Sequence, residues 1–167
     1  MVRAMSLLPD DVPGRLALVG AIRPEGLEDE LRALDTKGRV DFLGRCGRED
    51  VLDLLGRARI GLNLLHDVPN YALQPYSSKM YEYMGAHMPF LASDFPAWRE
   101  VIGPLDCARL VNPMDVEAIA ESLRALLEDV EGAAEMGRRG YDALVERGFH
   151  WSREATRLRE FYSNLLK

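Results

Sequence analysis

The chain has 167 residues, 47% of them hydrophobic and 29% charged, with a net charge of −6. That length and balance suit one globular domain with a sizeable core. The acidic balance argues against a nucleic-acid binder, which would carry a basic face, but leaves room for local cations around a small phosphorylated ligand.

No apolar run reaches the ~18 residues of a membrane span, and no basic segment followed by an apolar one opens the chain. The chain therefore reads as soluble and cytoplasmic. In that setting Cys46 and Cys107, far apart and off any metal spacing, are expected as reduced, mostly buried thiols. His66, His87 and His150 are scattered, so neither a metal nor another cofactor is expected.

The opening VRAMSLLPDDVP (2–13) reads as the end of a helix and a turn. Short apolar runs then alternate with helical patterns: LALVG (16–20), VDFLG (40–44), RIGLNLL (59–65), PFLAS (89–93) and ARLV (108–111). None alternates strictly, as expected of strands covered on both faces. Between them EGLEDELRAL (25–34), REDVLDLLGRA (48–58) and SKMYEYMGAH (78–87) carry apolar residues at helical spacing. The last third is helical throughout: 115–130 with Asp115 as N-cap, 131–148, and 151–166. In the last of these Trp151, Ala155, Leu158, Tyr162 and Leu165 form one apolar stripe. The predicted fold class is α/β: a Rossmann-like parallel sheet with helices on both faces and a C-terminal all-helical segment, forming a single domain over 1–167. In a doubly wound sheet the strand before the opening helix is often central. No such strand is seen, so the expectation is either a fragment of a longer protein or a sheet that closes by pairing with another chain.

Ligands of open α/β sheets bind beyond the carboxyl ends of the strands. Five loops lie there: 21–26, with Gly20 before it and Arg23 within it; 44–47, with Gly44, Arg45 and Cys46; 66–77; 93–96; and 112–115. The third is about a dozen residues long, a length usually tied to function or disorder. It leads into a helix from about Ser78, with Ser77 or Ser78 as cap and Met80, Tyr81, Met84 and Met88 on its apolar side. Gly85 and Ala86 are expected to let this helix approach the sheet closely, and His87 to sit near its C-terminus. Lys79 lies in the first turn, where the positive end of the helix disfavours a cation. A bound anion resolves the conflict: backbone N–H groups, serine hydroxyls and an ammonium would converge on a phosphate or diphosphate. Glu82 shares a face with Lys79 and could accept hydrogen bonds from sugar hydroxyls. Against this stands a weak, solvated Lys79–Glu82 pair.

The block SSKMYEYMGAHMPFLASDFPAWREVI (77–102) resembles the K-x-x-E-Y-M-A-x-G-x-P-V-I-A-S-D pattern of GT-B fold glycosyltransferases of group 1, or family 4, in their C-terminal nucleotide-sugar-binding domain. LALVG, VDFLG, LVNPMD (110–115) and FHW (149–151) are similar to supporting pieces. The resemblance implies a donor-binding half that takes a nucleotide-diphosphate sugar. In it Glu82 would bind the ribose, Ser77, Ser78 and Lys79 would face the diphosphate, and Gly44 to Cys46 would lie near the base. Many members carry a glutamate that contacts the donor sugar eight residues before the ribose-binding one. Here that position is Gln74, an amide that can hydrogen-bond but carries no charge, followed by Pro75 where the family often has glycine.

The resemblance further implies an N-terminal domain supplying the acceptor side, absent from this chain along with the first strand of the C-terminal domain. The isolated chain would then be inactive. The last helix would cross to that domain, or serve with the unfilled sheet position as a homodimer contact. No DxD pair offers a metal site, and Asp10-Asp11 reads as a turn. Two other readings stand beside this one. A sugar-nucleotide epimerase of the same fold would need acid and base residues not found here. A non-catalytic association module would fit Gln74 and the missing strand.

Overall fold

A computed structural model describes residues 1–68, 73, 77–149 and 151–166. The opening helix α1 (Val2–Leu7) ends before Pro9, which cannot continue it. Lys37 Nζ donates to Leu8 O at 2.7 Å, and the Arg39 guanidinium donates to Pro9 O at 2.8 Å and Val12 O at 3.2 Å. These bonds tie the helix end and its turn to the approach of the second strand. Asp10 pairs with Lys37 at 2.7 Å, so it serves this turn.

There follow β1 (Leu16–Val19), α2 (Leu27–Leu34), β2 (Val40–Gly44), α3 (Arg48–Arg57), β3 (Gly61–Asn63), α4 (Ser78–Gly85), β4 (Phe90–Ser93), α5 (Pro96–Ile102), a 3₁₀ turn (Gly103–Leu105) and β5 (Ala108–Val111). The chain then continues through α6 (Val116–Glu128), α7 (Val130–Glu146) and α8 (Trp151–Leu165). All strand pairs are parallel, as the apolar runs predicted. The strands fall into two hydrogen-bonded groups, β1–β2 and β3–β4–β5.

One apolar cluster joins the two groups. Leu16, Val40 and Leu91 pack with Val2, Met5 and Leu8 of α1 and with Ile119 and Leu123 of α6. On the opposite side of β4, Phe90 and Ala92 pack with Met80 and Met84 of α4, Trp98 of α5 and Ala143 of α7. Phe90, Leu91, Ala92 and Ser93 are all buried, which makes β4 the doubly covered strand of its group.

Several boundaries differ from the sequence reading. The expected strand over 59–65 contracts to Gly61–Asn63. The helix α5 was not singled out; it begins on Pro96, at home in a first turn, and buries Trp98 completely. Gly85 does not serve close approach, since a Cβ there would meet open space. The close approach belongs to α7: a Cβ on Gly137 would lie 2.0 Å from the His87 carbonyl oxygen, and one on Gly140 would lie 3.1 Å from Cys107 Cβ. His87 lies beyond the end of α4, at φ 53°, with its ring stacked on Tyr141 of α7 at 3.8 Å. Met88 is buried beyond the helix too. Asp115 caps α6 as predicted, its Oδ1 accepting from Ala118 N–H at 2.9 Å. Asp129 ends α6 and caps α7, accepting from Gly132 N–H at 2.9 Å.

Candidate functional site

In a parallel β–α–β unit the helix runs back against the strands, so it starts where the strand ends. α4 joins β3 to its parallel partner β4, and its N-terminus therefore lies at the carboxyl edge of that group. Ser77 occupies the N-cap position with extended backbone, but neither it nor Ser78 makes a side-chain cap. Met80 N–H bonds Ser77 O at 3.0 Å, and among the described residues the N–H groups of Ser78 and Lys79 have no partner, as first-turn donors lack one within their helix. Lys79 and Glu82 are both exposed, and among the described residues neither takes part in an ion pair. The weak Lys79–Glu82 pair that competed with the anion reading is not formed.

Below this turn the platform is fixed by a buried serine. Ser93, at the end of β4 and fully buried, accepts from Leu65 N–H and donates to Leu65 O, both at 2.7 Å. The hydroxyl thus takes over where the β3–β4 ladder stops. It anchors the start of the loop that carries Gln74, which lies outside the described residues together with Pro75. Tyr83 leans from α4 onto β3. Its hydroxyl donates to Leu62 O at 3.1 Å, and its ring occupies the space that a side chain on Gly61 would need. Burial pushes the Tyr83 phenol above its ordinary pKa, so it remains a neutral donor. Asn63, at the end of β3, is buried, and among the described residues both its amide atoms are unpartnered.

The other predicted residues gather at the carboxyl ends of β1 and β2. Gly20 N–H donates to Gly44 O at 2.6 Å, and both glycines adopt positive φ, 123° and 63°. That conformation, costly for residues with a Cβ, turns both loops outward. Arg23 and Arg45 are exposed in these loops. Cys46 is half-buried, its thiol near the carbonyls of Leu43 and Gly44. The structure thus brings Gly20 and Gly44 together and sets Ser77, Ser78 and Lys79 at the start of α4 with Glu82 one turn further in. Sequence reasoning missed Ser93, Tyr83 and Asn63. Gly61 and Asn63, a glycine and an amide inside an apolar run, were the available signals.

Among the described residues no group of His, Cys, Asp and Glu is placed to hold a metal ion, and no helix is long and apolar enough to cross a membrane. Parallel strands flanked by helices, with an open helix N-terminus at their carboxyl edge, define a Rossmann-like α/β domain of the GT-B type. The chain belongs to the family described as glycosyl transferases group 1, which matches residues 1–143.

Among curated relatives, a phosphatidyl-myo-inositol mannosyltransferase of Mycolicibacterium smegmatis is 28% identical over 145 residues, covering 84% of this chain and 35% of that protein. An MMP alpha-(1->4)-mannosyltransferase of Mycolicibacterium hassiacum is 27% identical over 168 residues, covering 99% of this chain and 39% of that one. Sucrose-phosphate synthase from Thermosynechococcus elongatus superposes with a TM-score of 0.78 at 25% identity, over 99% of this chain and 41% of its own. The chain spans well under half the length of these relatives.

Proposed function

We propose that this chain is the donor-binding half of a glycosyltransferase, holding a nucleotide-diphosphate sugar at the N-terminus of α4. The observation that carries the reading is the first turn at Ser77–Lys79, open among the described residues, with Glu82 one turn further in and neither charge in an ion pair with a described residue. The family description and the mannosyltransferase names share glycosyl transfer.

In such a transfer the bond from the sugar to the diphosphate breaks and the leaving diphosphate gains negative charge. Preoriented N–H groups and the Lys79 ammonium stabilise that charge more than they stabilise the intact donor, which is how they lower the barrier. Glu82 accepts from ribose hydroxyls and sets the register of the nucleotide. Arg23 and Arg45 frame the other side of the donor, with Gly44 and Cys46 toward the base, and Gln74 reaches the sugar. A separate N-terminal domain supplies the acceptor.

Isothermal titration of the chain with uridine and guanosine diphosphates tests this. A saturable heat is expected with at least one of them, weakened about tenfold in Glu82→Ala, the loss of one charge-assisted hydrogen bond. The corresponding nucleoside is expected to bind more weakly than its diphosphate. No saturable heat at millimolar ligand, in parent and variant alike, would sink the reading. A tight dimer combined with that silence would favour an association module instead.

A further inference from the structure

Asn63 is 1% exposed, and neither its Nδ2 nor its Oδ1 has a partner among the described residues. Buried amides are nearly always paired, because an idle one forfeits the hydrogen bonds that water gave it. Its direction follows from the strand. Side chains alternate along β3, and a Cβ on Gly61 would point into the Tyr83 ring of α4. Asn63, two residues on, therefore faces α4 as well, while Leu62 and Leu64 pack with the cluster on the other side of the sheet.

Its level follows from two rises. Two strand residues advance about 6.6 Å toward the carboxyl edge, and one helical turn back from Tyr83 advances about 5.4 Å the same way. That turn leads to Lys79 and Met80, so Asn63 lies beneath the first turn of α4, on the flank of the candidate site. It is also the last residue of the β3–β4 ladder, paired with Ala92. The next side chain on that face is Leu65, half-buried against the same cluster as α4. Ser93 holds the Leu65 backbone, but a change of rotamer in the side chain suffices to uncover the amide.

The chemistry of the amide selects its partner. Nδ2 donates and Oδ1 accepts. A phosphate oxygen only accepts and would leave Oδ1 idle; a cation would leave Nδ2 idle. Two neighbouring hydroxyls satisfy both atoms, one accepting from Nδ2 and the other donating to Oδ1. We infer that Asn63 is a specificity-determining residue of the donor site, taking a hydroxyl pair of the bound donor while the first turn of α4 meets the diphosphate. The ribose and the transferred sugar both carry such a pair. The inference rests on the donor-binding reading and adds to it a contact that charge does not make. It also accounts for the idle amide: a buried polar group that costs stability in the free chain is kept where binding uses it.

Titration of the chain with uridine and guanosine diphosphates, their 2′-deoxy counterparts, UDP-glucose and GDP-mannose tests it, on the parent, Asn63→Leu and Asn63→Ala. The alanine variant cannot overpack the site. Both variants are expected to bind the preferred donor about fivefold more weakly, the loss of one neutral hydrogen bond. A loss seen with the diphosphate but not with its deoxy counterpart assigns the ribose. A loss confined to the sugar conjugate assigns the transferred sugar. In the nuclear magnetic resonance spectrum the side-chain amide signal of Asn63, identified by its absence from Asn63→Leu, is expected to shift as the donor saturates. An unmoved signal would overturn the inference. Parental affinity in both variants, with Glu82→Ala still weakened, would overturn it and leave the donor site standing. Equal losses with the diphosphate and its deoxy counterpart would also overturn it, because a disturbed fold moves both alike. Silence of the parent with every probe would overturn this contact and the donor site together.

Discussion

Asn63 carries one side-chain amide into the interior of β3, and neither its Nδ2 nor its Oδ1 has a partner among the described residues. An unsatisfied buried polar group costs about 1–3 kcal/mol, whereas an apolar side chain of the same size costs nothing of that kind. Leucine has the same branched outline as asparagine, with bulkier methyl groups in place of the polar atoms, and the neighbouring strand residues are apolar. Asn63→Leu is therefore expected to stabilise the free protein by about 1 kcal/mol, visible as a melting temperature raised by a few degrees in thermal denaturation. An unchanged melting temperature would mean that the amide has a partner in the free protein in solution, and a lowered one that the bulkier methyl groups overpack the site. The same residue shows where sequence reading stops. An amide within RIGLNLL can be noticed, but only burial and the absence of partners give it an energetic meaning. Ser93 is the converse case. As the last residue of PFLAS it looks like a strand end, yet its hydroxyl makes the two bonds that fix Leu65. The placement of Lys79 in a first helical turn and of Glu82 one turn further in was legible, because a residue's position in a helix is a local property of the sequence.

At the scale of elements, the strands and most helices were readable from periodicity, and the misses share a cause. Residues 59–65 look like one strand because Ile60, Leu62, Leu64 and Leu65 give the run an apolar character. The ladder nevertheless ends at Asn63, and beyond it Ser93 replaces backbone pairing at Leu65. The role given to Gly85 fell instead to Gly137 and Gly140, because the closeness lies between α4 and α7, a contact with no local signature. That contact can be tested. A Cβ on Gly137 would lie 2.0 Å from the backbone oxygen of His87 and 3.1 Å from the Pro89 ring. Backbone cannot swing aside as a flexible side chain does, so α7 must retreat from the residues that end α4. Gly137→Ala is expected to cost roughly 1–3 kcal/mol, the range of overpacked cores, despite the better helix propensity of alanine. A urea unfolding curve checks this; a midpoint at or above that of the parent would show that the two helices separate easily.

At the scale of the molecule, the Rossmann-like architecture followed from alternating strand and helix signals. The division of the strands into β1–β2 and β3–β4–β5 followed only from the structure, because no periodicity tells which edges meet. The last helix was read correctly as amphipathic, but amphipathicity names a face without naming its cover. In α8 no residue is buried, and Trp151, Leu158, Phe161, Tyr162 and Leu165 are each about half or more exposed, Trp151 by 75%. A helix that contributes nothing to the core contributes little to its stability, and the family match ends earlier, at residue 143. Deleting residues 150–167 is therefore expected to leave the melting temperature within about 3 °C of the parent, less than 1 kcal/mol for a domain of this size. The cut leaves Phe149 in place against Tyr81, at 5.6 Å between ring centroids. Binding of a hydrophobic-surface dye should fall, because the deletion removes a large part of the exposed apolar surface. A fall in melting temperature of 10 °C or more, about 3 kcal/mol on the same scale, would show that in solution α8 packs onto the body of the protein or onto a second copy. Repeating the melt at several protein concentrations separates those two outcomes, since only association makes the melting temperature depend on concentration.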